Sequence, residues 1–139
     1  MAKALLSTYN SNIGAVAANG IVPLGSAVRR FGCCNGVNTI DLGNSGIVLS
    51  APGYYTVEAT VNATAGATGT LTATVYQNGI AVTGASISGT AAAEADSVVL
   101  SIPAFAVRVP CGSQPSALTI VLSGGAATAG TVNVLVEKV

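Results

Sequence analysis

Apolar and polar residues alternate with a period of two along much of this chain. The clearest run covers residues 54–63, in which every second residue from Tyr55 to Ala63 is apolar and the residues between them are Thr, Glu or Asn. Side chains of a β-strand point alternately to the two faces of a sheet, so this pattern predicts a strand with one face in a core. Four other stretches show the same period: 70–75, 98–102, 118–122 and 132–136. We therefore expect an all-β protein.

Turn residues separate these runs. Pro52-Gly53 precedes the clearest strand, and Asn78-Gly79 lies between two apolar runs. Asn and Gly both tolerate positive φ, which the two-residue type I′ turn of a hairpin requires. Pro103 predicts a bend or an edge strand, because proline cannot donate a hydrogen bond to a ladder. About eight to ten strands and no confident helix favour an antiparallel two-sheet sandwich of the jelly-roll type.

The first part of the chain follows a different pattern. Residues 1–19 show no strand alternation and include one possible short helical turn. We predict an N-terminal arm over 1–19 and a single jelly-roll domain over 20–139. The arm is interpreted as a segment that docks on a partner, and packing back on its own protein is the alternative. Its candidate docking residues are Leu5, Leu6, Tyr9 and Ile13.

The composition favours self-association. Half of the residues are hydrophobic, only 7% are charged, and the formal net charge is zero. Most globular domains carry roughly 25% charged residues. In addition, Tyr54, Val99 and Val121 place apolar side chains on the second face of their strands. We expect that face to form a subunit interface, and a monomer whose surface is covered by Thr and Ser is the alternative.

Several classes of function find little support in the sequence. Arg29-Arg30 is the one adjacent basic pair, so phosphate binding of the nucleic-acid kind is not expected. No apolar run is long enough to cross a membrane, and no convincing export signal is present. The chain has no His to activate a Cys nucleophile and no Gly-x-Ser-x-Gly motif, so we do not expect an enzyme. We expect no cofactor.

The cysteines and carboxylates also favour a structural interpretation. Cys33, Cys34 and Cys111 are an odd number and match no zinc spacing, so reduced thiols are expected. The sequence leaves open whether Cys33 or Cys34 pairs with Cys111. Glu94 and Asp96 lie two residues apart in an Ala-rich stretch, which we interpret as a solvated loop.

One motif carries a resemblance to a known family. Residues 47–61 read Ile-x-Leu-x-x-Pro-Gly-x-Tyr-x-Val-x-x-x-Val, and a second Gly-rich stretch leads into residues 130–136 near the end of the chain. Both resemble strands of the C1q/TNF-like jelly roll, and the bacterial and phage branch of that family looks closest. The likeness covers roughly residues 20–139.

The resemblance implies a homotrimer packed about a three-fold axis through aromatic and aliphatic residues. The candidate core or axis positions that it implies are Tyr54, Tyr55, Tyr76, Phe105 and Val134. The calcium-binding carboxylates of some animal members have no clear match here, so no metal site is carried over.

Two functions from different classes follow. The first is a virion structural protein: a trimeric decoration or head-fibre protein that assembles in the host cytoplasm and binds the major capsid protein at the virion surface. In this interpretation the arm contacts the capsid, and the small neutral loops at 65–69 and 126–130 face outward. The second is a bacterial surface or spore-coat head that binds a glycan or a receptor.

Overall fold

The computed structural model describes residues 4–32, 40–43, 46–112 and 115–139. Strands make up 72% of it, and it contains no helix. The strands are β1 (Ala4–Asn10), β2 (Gly20–Ile21), β3 (Ser26–Gly32), β4 (Ile40–Leu42), β5 (Ile47–Leu49), β6 (Gly53–Ala65), β7 (Gly69–Gln77), β8 (Ile80–Ala91), β9 (Ser97–Val109), β10 (Ser116–Ser123) and β11 (Ala127–Lys138). The predicted number was about eight to ten; eleven are described, and β2 has only two residues.

The strands form two sheets that pack face to face. Sheet I has the order β3-β1-β11-β6-β9, and sheet II has the order β4-β5-β10-β7-β8, with β2 paired to β10. Every pairing is antiparallel, and the chain passes between the two sheets repeatedly, so the predicted jelly-roll sandwich is confirmed. The two sheets bury a single core between them, lined mostly by Val, Leu, Ile and Ala.

Strand β6 shows how the sequence pattern builds this core. It lies between β11 and β9 in sheet I, and its residues from Tyr55 to Ala65 alternate strictly between buried and more exposed positions. The Tyr55 hydroxyl donates a hydrogen bond of 2.6 Å to the Ala51 carbonyl oxygen, which satisfies the one polar atom of this buried ring. Burial raises the pKa of this hydroxyl above its ordinary value of 10.0. The predicted alternation of residues 54–63 is confirmed.

The prediction of a separate N-terminal arm is wrong. Residues 4–10 form strand β1, which pairs with β11 on one side and with β3 on the other. Leu6, Ile13 and Val16 are buried in the core, and the bridge between Val16 and Ala127 ties the following segment to β11. A segment that fills the core in this way is part of the sandwich. The predicted domain boundary at residue 20 and the predicted helical turn are therefore both wrong.

Pro103, which has no backbone N–H to donate to a ladder, lies in a strand at the edge of a sheet. Strand β9 is an edge of sheet I, as proline predicted. The register shifts there, because Val57 pairs with Phe105 while Ala59 pairs with Ile102. The extra residue forms a bulge that kinks the edge strand.

The turn at Asn78-Gly79 joins β7 to β8 with two residues, and both have positive φ, at 53° and 81°. This agrees with the predicted type I′ hairpin. The Asn78 side chain also fastens the turn to β10: its Oδ1 accepts a hydrogen bond from the Ala117 backbone N–H at 2.9 Å, and its own backbone N–H donates to the Ala117 carbonyl oxygen. The two hydrogen bonds to Ala117 therefore fix the turn against β10.

Replacing Gly79 with Val is expected to lower the free energy of unfolding by about 1–2 kcal/mol, because a β-branched residue resists positive φ. No atom lies within 4 Å of a Cβ built at this position, so the loss would come from the backbone and not from a clash. Urea unfolding measures it. Gly79→Asn is the control and should cost much less, because Asn tolerates this conformation. Equal losses for Val and Asn would contradict the turn assignment.

Candidate interaction surface

The outer faces of the two sheets differ in charge. Among the six strands of sheet II, Asp41 in the edge strand β4 is the one charged residue. The outer side of β7 and β8 instead carries hydrogen-bonded pairs of hydroxyl groups. Thr72 Oγ1 lies 2.8 Å from Ser88 Oγ, and Thr74 Oγ1 lies 3.0 Å from Ser86 Oγ. Sheet II therefore presents a neutral hydroxyl surface to its surroundings.

The outer face of sheet I combines charges with exposed apolar side chains. Five of the large apolar residues that are exposed in the described part of the chain lie on its strands: Tyr9, Val28, Phe31, Tyr54 and Val99. The charged residues of its outer side are Arg29, Glu58, Arg108 and Glu137. Arg30 and Lys138 are cross-strand partners of the buried residues Leu6 and Tyr55 and lie on the other side of the sheet. Two of the three residues predicted for a second apolar face lie on this sheet, where Tyr54 and Val99 are both more than half exposed. The third, Val121, is half-buried in β10 of sheet II.

A recess lies on this face where β3, β1 and β11 run side by side. Leu5 is the cross-strand partner of Phe31 on one side and of Glu137 on the other. With Ala4 and Lys138, these residues line a cavity of about 240 Å³, which we call the recess. Phe31 is 59% exposed at its rim, and the ammonium group of Lys138 lies toward Gly53. The recess therefore has an apolar floor and an exposed carboxylate.

A second concave surface lies at the sandwich edge where β8 and β9 run past each other. Ile80, Val82, Arg108 and Pro110 line a groove of about 370 Å³, which we call the edge site. Ile80 is 74% exposed, more than any other large apolar side chain in the described residues. The amide of Gln77 donates a hydrogen bond of 2.9 Å to the Arg108 carbonyl oxygen, which fixes the β7–β8 hairpin against β9.

The structure separates the five residues that the resemblance implied for the core or trimer axis. Tyr55 and Val134 are in the core, and Phe105 is partly buried against it. Tyr54 is exposed on the outer face of sheet I, and Tyr76 is half-buried on β7. These positions agree with core roles for three of the residues and leave a role at an axis as a proposal for Tyr54.

The four candidate docking residues of the arm are also separated. Leu6 and Ile13 are buried in the core and are not available to a partner. Leu5 is half-buried in the recess, and Tyr9 is 44% exposed on the same face of sheet I. Only Leu5 and Tyr9 can therefore contact a partner, and they do so as part of a sheet and not of a free arm.

The remaining polar candidates are not brought together. Asp96 accepts hydrogen bonds from the backbone N–H groups of Ala92 and Ala93 in the β8–β9 loop, while Glu94 is exposed. Cys111 is an exposed free thiol, and Cys33 and Cys34 lie outside the described residues. Within the described ranges no three His, Cys, Asp or Glu side chains form a group that could hold a metal ion. Nor does this part of the chain include a helix of the length and apolarity needed to cross a membrane.

The sequence did not single out four residues of these two surfaces: Phe31, Ile80, Arg108 and Glu137. Ile80 directly follows the Asn78-Gly79 turn, so its place at the start of β8 could be predicted from the sequence, but not its exposure. Phe31 and Glu137 became neighbours of Leu5 only through strand pairing between distant parts of the chain.

Solved structures share this fold, whereas no protein-family model and no curated protein matches the sequence. PRD1 vertex protein P5 is 21% identical, with a TM-score of 0.64 over 98% of this chain and 96% of that chain. Eiger TNF from S. frugiperda is 10% identical, with a TM-score of 0.70 over 99% of this chain and 91% of that chain. The globular domain of zebrafish complement 1qA is 11% identical, with a TM-score of 0.61 over 94% of both chains.

At these identities the likeness is one of fold. The strand order, the hairpin connections and the buried face of β6 agree with the expectation that residues 47–61 raised. The chain has the C1q/TNF-like jelly-roll fold, which it shares with Eiger TNF, the globular domain of zebrafish complement 1qA and the PRD1 vertex protein P5.

Proposed function

We propose that this protein is a structural component of a phage virion, a homotrimeric decoration or head-fibre protein that binds the capsid surface. The observation that carries the proposal is the similarity to the PRD1 vertex protein P5, which extends over nearly the whole of both chains. The identity of 21% is above the 10% of Eiger TNF and the 11% of the zebrafish complement 1qA domain. A vertex protein is a part of the virion shell, and a part of that kind needs a stable module with surfaces for assembly.

The outer face of sheet I supports the homotrimer. Exposed apolar side chains are normal one at a time, but this face gathers several of them with charges of both signs. Contact with further copies would remove these apolar atoms from water, at about 25 cal/mol for each Å² buried. Light scattering coupled to size exclusion measures the mass of the particle, and a monodisperse monomer at micromolar concentration would contradict this part of the proposal.

The two ends of the sandwich support an orientation on the capsid. The strand pairs of Leu5 with Glu137 and of Lys138 with Tyr55 place the start of β1 and the end of β11 at one end. At the opposite end, the β6–β7 and β10–β11 loops meet around a shallow cavity of about 200 Å³ lined almost entirely by Gly, Ala and Thr. We propose that this neutral end faces outward and that the other end contacts the capsid. The sequence had predicted that contact for the N-terminal arm.

Co-sedimentation tests the capsid contact. Purified protein is mixed with capsids of a phage from which the gene for this protein has been deleted, and the capsids are then pelleted. The amount of protein in the pellet is expected to rise to saturation. A peptide tag inserted at Ala67 should leave binding intact, and the same tag after Val139 should weaken it. Protein that stays in the supernatant at saturating concentration would overturn the decoration role. Binding that is weakened by the tag at Ala67, or left unchanged by the tag after Val139, would overturn the orientation.

A further inference from the structure

We propose that one end of the sandwich binds an acidic surface of the capsid through basic side chains, a step that rests on the proposed function and gives the chemistry of its capsid contact. This end holds the starts of β1 and β6 and the ends of β3, β9 and β11. We call it the basic end, after the two cations at its tip, Arg108 and Lys138.

The basic side chains of the protein are confined to one half of the sandwich. The described residues include four of them, and all lie in the half that contains the basic end: Arg29, Arg30, Arg108 and Lys138. The last two pair with the second and third residues of β6, and the first two pair with the fourth and third residues of β1. The same half has three acidic side chains, Asp41, Glu58 and Glu137, so its formal charge is +1.

The opposite half carries negative charge only. Glu94 and Asp96 lie in the β8–β9 loop, which is hydrogen-bonded to Ala65 at the end of β6. Among the described residues no basic side chain lies in this half, so its formal charge is −2. Lys138 is level with the third residue of β6 and this loop with its last residue, a separation of about 30 Å along the strand.

This separation of charge orients the protein against a charged surface. The Debye length is about 10 Å at an ionic strength of 0.1 M, so a surface in contact with one end acts little on the charges of the other. An acidic surface therefore attracts the basic end and disfavours an approach of the end that carries the β8–β9 loop. The orientation agrees with the one proposed for the capsid contact.

Two of the four basic groups already have partners within the protein. Arg30 forms an ion pair of 2.9 Å with Asp41, and the guanidinium of Arg29 donates a hydrogen bond to a carbonyl oxygen of its own strand. Arg108 and Lys138 have no ionic partner among the described residues. They are the cations that remain for a contact with another protein.

Lys138 is held in place at the tip of the sandwich. The backbone N–H of Val139 donates a hydrogen bond of 3.0 Å to the Tyr54 carbonyl oxygen, which fixes the end of β11 to the start of β6. The Lys138 ammonium lies beside Gly53, the first residue of β6. Tyr54 and Val139 are both more than half exposed next to it, so a partner that binds the cation also buries apolar surface.

An acidic protein surface fits this end better than a phosphate-rich partner. Nucleic acids and anionic membranes are bound by clusters of Lys and Arg, whereas here two unpaired cations are set among apolar side chains. With the neutral loops outward, the three-fold rotation of the proposed trimer places three basic ends on the same side. Three contacts made together bind more tightly than one if the acidic groups of the capsid match their spacing.

Charge variants tested by co-sedimentation with capsids of the gene-deleted phage examine this contact. Lys138→Gln is expected to raise the dissociation constant by about fivefold or more, because it removes a cation from the basic end. Glu137→Gln removes the acidic group next to that cation and is expected to lower the constant by a similar factor, a gain that misfolding cannot produce. Size exclusion checks that each variant keeps the oligomeric state of the wild type.

Each variant has a matched control at the opposite end. Thr68→Glu lowers the net charge by one unit, as Lys138→Gln does, and Glu94→Gln raises it by one unit, as Glu137→Gln does. Both controls lie far from the contact and should leave the dissociation constant unchanged. Added salt should weaken the binding of the wild type, because it screens the attraction.

The outcomes separate this contact from the decoration role. If the wild type does not pellet with capsids at any concentration, the decoration role is wrong and this contact with it. If the wild type pellets and neither Lys138→Gln nor salt changes its dissociation constant, the decoration role stands and the basic contact is wrong. Wild-type protein that pellets equally well with phosphatidylserine vesicles would overturn the choice of an acidic protein surface as the partner.

Discussion

Gly130→Ala is expected to lower the free energy of unfolding by about 2–5 kcal/mol. Gly130 lies in β11 opposite Ala63 with φ at +156°. A Cβ there would overlap the carbonyl oxygen of Asn62. That oxygen belongs to the backbone of the inner strand β6, which is paired on both sides and cannot move aside. The clash and the unfavourable φ add, because overpacking costs about 1–3 kcal/mol and left-handed backbone about 1–2 kcal/mol.

Gly69→Ala is the matched control for this effect. Gly69 has a similar φ of +137°, but nothing lies within 4 Å of a Cβ built on it. It should therefore cost about 1–2 kcal/mol from the backbone alone. Urea unfolding of both variants under the same conditions separates the two causes. Similar losses at the two positions would show that β11 does not approach β6 as closely as described.

Leu6→Ala is expected to cost about 2–5 kcal/mol, and deletion of residues 2–12 is expected to prevent folding altogether. Leu6 has no exposed surface, and β1 is an inner strand of sheet I that supplies ladder partners to both β3 and β11. Removing the strand exposes the core and leaves two strands without a neighbour. Thermal unfolding followed by circular dichroism measures the point variant, and a cooperative transition in the truncated protein reports whether it folds.

Leu5→Ala provides the control for burial, because Leu5 is the adjacent residue of the same strand and points to the outer face. Its effect on unfolding should be well below that of Leu6→Ala. A truncated protein that unfolds cooperatively at the wild-type temperature would return the segment to the role of a separable arm.

The part of the fold that the sequence predicted well is the part whose alternation is unbroken. In β6 every inward position is apolar, and in the hairpin the Asn-Gly pair meets a backbone requirement that few other residues satisfy. Strand β1 was missed because its inward positions are Ala4, Leu6 and Thr8, while Leu5 and Tyr9 point outward. Thr8 is 1% exposed, and its hydroxyl has no hydrogen-bond partner in the described structure. In this part of the strand a polar residue therefore points inward and an apolar residue points outward.

The candidate surface was predictable only in outline. Apolar residues on the second face of a strand, such as Tyr54 and Val99, indicated that one sheet has a face left for a partner. The recess could not be derived in this way, because Phe31, Leu5 and Glu137 are far apart in the sequence and meet only through the register of three strands. Strand alternation states which side a residue faces, but not which distant residue lies next to it.

The neutral outer face of sheet II has a consequence for crowding. Strands β7, β8 and β10 bear no charge, and hydroxyl groups of β7 and β8 bond to one another across the two strands. Two uncharged faces do not repel each other electrostatically. Copies of the protein can therefore lie close together without the like-charge repulsion that becomes stronger at low ionic strength. Close packing at high local density would thus be tolerated over a wide range of ionic strength, in media as different as the inside of a cell and fresh water.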